Sequence, residues 1–295
     1  MLKSLARFSL TATVALCIAA CGRDPAPTGT ATSGADEAIR TSARLARTND
    51  IGGLFEHMLP PAEYARIKAE WSANKDEVPV TDEERQRFAE AMAMLTADDA
   101  VDSLYALIEP DLSQFDAQYK QQLPTVVAMG QVYVQGLVQQ SQHLSAAEKA
   151  HAEQAIKAVA EWVQVTRFTD PALVKRAIGI ASETARRLDL KSLDEARGLD
   201  FDQSALKIGI AFDGVKQILA VYGFSIDQSL DSVRTEIVAS TGETATVKVD
   251  YELLGARLTS QSEMVRVDGR WFAKDTIEKI KSLDADPTGG AAGAR

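Results

Sequence analysis

Two cysteines, Cys17 and Cys21, are the only thiols in 295 residues. Such a chain has no disulfide framework and no cysteine-rich zinc cluster, and its core must hold by packing alone. Histidine is almost as scarce: His57, His143 and His151 are the full set, and none lies in an H-E-x-x-H pair. No G-x-G-x-x-G or G-x-x-x-x-G-K-[ST] loop is present to cradle phosphates, and no G-x-S-x-G turn to expose a serine nucleophile. Lys and Arg form no run, and the net charge is −10. Nucleic-acid affinity comes largely from neutralised phosphates, so this balance argues against a nucleic-acid partner. No predominantly apolar stretch reaches the roughly 20 residues that a membrane-spanning helix takes.

What is present begins with a basic stub, Lys3 and Arg7, followed by 13 uncharged residues from Phe8 to Ala20. A basic stub, a short apolar run and small residues at its end make the layout of a secretory leader, expected over residues 1–20. The end of that run, Ile18-Ala19-Ala20-Cys21, resembles the lipobox of bacterial lipoproteins. The resemblance implies a diacylglyceryl group on the Cys21 sulfur, cleavage before it, and a membrane contact made by the acyl chains. In that family an aspartate directly after the cysteine marks inner-membrane retention in enteric bacteria. Here Gly22 follows and Asp24 comes later. The resemblance thus implies attachment to the outer membrane, facing the periplasm.

Residues 21–35 join the modified cysteine to a Gly/Pro/Ala/Thr/Ser stretch that cannot bury enough surface to order itself, a tether with a root-mean-square reach of about 20 Å. Residues 284–295 share that composition and are expected to fray. Between them, 36–225 is expected to be helical. Thr81/Glu84 and Ser145/Glu148 form capping-box patterns, and Asp170-Pro171 pairs a cap residue with a first-turn proline. Pro60-Pro61, Pro79 and Pro110 are read as breaks, and Gly223 as a helix C-terminal residue. The segment 124–140 is apolar nearly all round and is expected to be a central, mostly buried helix.

After Phe224 the period changes from helical to two. Ala245, Val247, Val249, Tyr251 and Leu253 alternate with Thr246, Lys248, Asp250 and Glu252. Flanking runs Val233–Ala239 and Leu258–Val267, with a hairpin signal at Asp268-Gly269, predict an antiparallel meander and terminal helix over 226–283. The expected fold class is α+β and mostly helical: an irregular bundle followed by a four-stranded antiparallel β-meander packed on it. The last strands, through Val267-Asp268-Gly269-Arg270-Trp271, resemble those of the nuclear transport factor 2-like superfamily. That resemblance implies a cone-shaped α+β unit with space for a ligand between sheet and helices, and it carries over no functional residue.

Candidate chemistry is thin. Ser72-Ala73-Asn74-Lys75 fits S-x-x-K, but the companion motifs S-D-N and K-T-G are missing, so a solvated helix end is the better account. His143, Glu148 and His151 are metal-type ligands close in sequence, read here as exposed polar groups at a helix start. The acidic run 189–200 has the length of a calcium loop but carries Lys191 and Asp194 where such a loop needs a ligand and a glycine. Trp71, Trp162 and Trp271 follow apolar patterns and are expected in the core. No catalytic, cofactor-binding or metal residue is therefore expected, and Cys21, as lipidation site, is the only residue with an assigned chemical role. The sequence points to a non-enzymatic, lipid-anchored envelope protein that binds a protein partner as scaffold, assembly factor or inhibitor, such as an immunity protein. The alternatives are a small-molecule or lipid-binding protein with a pocket between sheet and helices, or an enzyme with an unrecognised site.

Overall fold

A computed structural model describes residues 34–73, 79–142 and 144–285. The expected leader, Cys21, most of the tether, Lys75 and His143 lie outside the described residues. Among those described, twelve helices precede or flank one four-stranded antiparallel sheet, an α+β and mostly helical fold.

The first helix, α1 (Ala35–Arg47), opens at the expected end of the tether, and Ala35 is fully buried against Trp271 rather than solvated. Then follow α2 (Ile51–Met58), α3 (Pro61–Ala73), α4 (Asp82–Thr96), α5 (Ala100–Tyr119), α6 (Leu123–Gln140) and α7 (Ala146–Val165). Next come α8 (Pro171–Leu188), α9 (Leu193–Gly198), α10 (Phe201–Val221) and α11 (Ile226–Asp231). The strands are β1 (Arg234–Ser240), β2 (Thr244–Leu253), β3 (Ala256–Val267) and β4 (Arg270–Ala273), and α12 (Lys274–Ala285) ends two residues inside the stretch expected to fray.

Helix starts are where capping chemistry places them. Thr81 and Ser145 each accept from the amide three residues on while Glu84 and Glu148 reach back, so both capping boxes are closed. Asp170 accepts from the amides of Ala172 and Leu173 ahead of Pro171. Gly223 adopts φ +86°, which lets Phe224 N donate to Leu219 O at 3.0 Å and ends α10. Pro110 is a correction: it sits inside α5 rather than breaking it. A proline there forfeits one helical hydrogen bond but leaves the chain helical where the flanking turns hold.

Two packed regions result. In the helical one, α8 lies against α10, α5 and α4, while α2 and α3 close on α10. The approach is tight where glycine allows it: a Cβ at Gly209 would stand 2.5 Å from the Asn49 carbonyl oxygen, and one at Gly214 would enter the Thr184 side chain. In the other region the strands run in the order β1-β2-β3-β4. Alternation turns Ala245, Val247, Val249 and Tyr251 inward, and α1, α7, α11 and α12 pack on the sheet. Lys248 and Asp250 pair on the outer face at 2.8 Å. Asp268 and Gly269 both have positive φ, +49° and +81°, the geometry that lets a two-residue turn follow the sheet's twist.

Candidate functional site

The metal-type cluster resolves into structure rather than chemistry. Glu148 and His151 stand on one face of α7, turned into the sheet; both are buried, which corrects the reading of exposed groups at a helix start. The Glu148 carboxylate accepts from the Ser145 amide at 2.6 Å. His151 Nδ1 lies 3.1 Å from the Thr259 carbonyl oxygen, which can only accept, so Nδ1 carries the proton. Its Nε2 lies 3.2 Å from the Tyr251 hydroxyl and accepts from it. Neither ring nitrogen has a lone pair to offer, and among the described residues no three His, Cys, Asp or Glu groups could hold an ion.

This arrangement has a pH consequence. Burial depresses the His151 pKa below its ordinary value, and the Thr259 bond only partly offsets it. Nearby, burial raises the Asp275 carboxyl, with Glu148, Glu278 and Glu263 adding to the effect, a shift that favours the folded state as the pH falls and so opposes that of His151. A base with a depressed folded pKa binds fewer protons folded than unfolded just below about pH 6.5, so its contribution is complete above that pH and is lost as the pH falls. His151 therefore contributes a fall in the denaturant midpoint as the pH drops below about 6.5, read as the difference between the wild type and a variant without the imidazole. His151→Gln should flatten that dependence, and parallel profiles for the two proteins would refute this account.

The remaining candidates are structural too. Ser72 donates to Lys68 O at 3.2 Å at the end of α3. In the acidic run Asp189 takes φ +46° to close α8, Ser192 caps α9, Asp194 pairs with Arg85 at 2.9 Å, and Asp200 caps α10. Trp71 donates to Leu199 O, Trp162 donates to Tyr222 O, and Trp271 lies in the core under α1. An open hollow of about 360 Å³ lies beside α8, lined by Arg176, Gly179, Ile180, Glu183, Thr184 and Arg187. It mixes both charge signs over a short helix face and brings no nucleophile beside a base.

The feature that stands out is α6. It was expected to be central and buried, and none of its residues is buried. Its half-covered residues Leu123, Val127, Gln131, Gln135 and Val138 form one stripe, Gly136 is part-covered too, and α7 is its main packing neighbour. The hairpin is tied by Lys149 Nζ to Gln139 O at 2.8 Å and by Gln139 to Glu153. On the other side Met129, Val132 and Tyr133 are each 69% exposed, and Val126 and Leu137 are more than half exposed. Periodicity missed this because an all-round apolar helix reads the same whether its own domain or something else covers it. The readable signal was charge: residues 121–147 contain no Asp, Glu, Lys or Arg, the longest such run in a chain that is 25% charged. Contiguous exposed apolar surface of this kind marks interaction sites. No protein-family model, curated protein or solved structure matches this chain significantly.

Proposed function

We propose that this chain is a lipid-anchored protein of the cell envelope, exposed to the periplasm, that acts without catalysis by binding another protein. The α6 face is the observation that carries the binding part: one side of this charge-free helix packs on α7, and the large apolar side chains of the other side face solvent. The pocket reading finds less support, because the space between sheet and α1 is filled by Ala35, Val247, Val249, Met264 and Trp271. The anchor rests on Ile18-Ala19-Ala20-Cys21. Two chains or more are what stable anchoring takes, so Cys21→Ala should abolish incorporation of a palmitate analogue and release the protein from the membrane fraction. The binding half is checked by affinity purification of the tagged full chain from detergent-solubilised envelopes. A protein recovered with the wild type and lost with Val132→Asp supports the reading; identical recoveries sink it.

A further inference from the structure

We infer that the partner on the α6 face is a second copy of this chain, the two α6 helices packing on each other across a two-fold axis. This rests on the reading of that face as a protein-binding surface. In a symmetric contact every residue near the axis meets its own counterpart, so any charge there faces a like charge. The chain carries net −10, and its other helices are studded with Asp and Glu. Residues 121–147 form the longest stretch in which two copies can meet with no like-charge pair. A partner of opposite charge would gain nothing here, since the face offers no charge to complement.

Shape agrees with charge. Met129, Val132, Tyr133, Gly136 and Leu137 follow the three-then-four spacing by which one helix seats its side chains in the gaps of another. A Cβ added at Gly130 or Gly136 would meet nothing within 4 Å, so open space lies over both positions. Bare backbone at the exposed Gly130 and the part-covered Gly136 lets a facing helix approach closely. At 18 residues, α6 offers a contact line of about 27 Å.

The test uses the full chain in its own membrane. A photo-reactive benzoylphenylalanine replaces Tyr133, and two differently tagged copies are co-expressed. Whichever way the axis runs, a mid-helix residue meets its counterpart. Irradiation is expected to give an adduct of twice the chain's mass that carries both tags. Val132→Asp and, independently, Met129→Lys, both on well-exposed positions, should reduce the adduct at least about tenfold, because each sets like charges together across the axis. The same probe at Leu206 on α10, 66% exposed, should give none. An adduct with a different protein overturns self-association and leaves the protein-binding reading standing. A lipid adduct alone, or no adduct, overturns both.

Discussion

Asp227→Ala is expected to destabilise the protein by about 3 kcal/mol. Lys216 is 3% exposed on α10, and its ammonium donates to Asp227 Oδ1 at 2.5 Å and to the Arg47 carbonyl oxygen at 2.9 Å. It also sits 5.3 Å from the Phe212 ring centre. This one side chain ties α10 to α1 and α11. Removing the carboxylate strands a buried ammonium on a single carbonyl, and losing one partner of a buried pair costs about 3–5 kcal/mol. The lower end applies because the Asp227 side chain is one-third exposed and water can follow it in. The reverse change is milder. Lys216→Met leaves Asp227 with Arg47 at 3.2 Å, keeps the volume filled, and costs about 1–3 kcal/mol for the carbonyl left without its donor. The double variant should therefore be more stable than Asp227→Ala alone. Equal denaturant midpoints for wild type and Asp227→Ala would show that the ion pair does not carry this junction.

That junction marks the boundary of what the sequence discloses. Local rules were legible because their causes are local. Thr81/Glu84 and Ser145/Glu148 need only four residues to close a cap, and Asp268-Gly269 needs only its own φ angles to turn the chain. The period-two run from Ala245 to Leu253 assigned both faces of β2 correctly. Lys216, by contrast, looks like any helix lysine. Its burial depends on residues 169 positions earlier and 11 later, and no spacing signals it. The same holds for Ala35, expected in a tether yet buried against Trp271 because α1, far back in the chain, joins α11 in covering the sheet.

The α6 discrepancy is of another kind. Composition pointed to a central, mostly buried helix, and the structure leaves none of its residues buried. A helix apolar all round satisfies the same pattern at the centre of one chain or at the junction of two. The absence of charge over 121–147 is the part of the pattern on which the proposed self-contact rests in an acidic protein. A core helix tolerates charged ends that reach solvent, whereas a self-contact pairs each charge with its like.

Phe201→Ala is the second large effect, expected at about 3–5 kcal/mol. Phe201 opens α10 at 6% exposure and is met edge-on by Phe55, Tyr64 and Trp71, with ring centres 6.1, 5.6 and 5.9 Å away. Three such neighbours make it the hub by which α2 and α3 attach to α10. Edge-to-face pairs add about 0.5–1.5 kcal/mol each beyond the area they bury, and all three go with one ring. The void cannot close by local collapse, because Trp71 is held by its bond to Leu199 O at 3.2 Å and Lys68 by Asp202 at 2.7 Å. Phe201→Leu keeps most of the volume and should cost markedly less, which separates a cavity from a lost backbone cap, since Asp200 remains in both variants. Denaturant midpoints rank the three proteins. Hydrogen exchange over 61–73 should accelerate in Phe201→Ala before the sheet does, because among the described residues α3 packs mainly against α2 and α10. Uniform acceleration across α3 and the sheet would mean instead that the two regions unfold as one unit, and that Phe201 stabilises all of it.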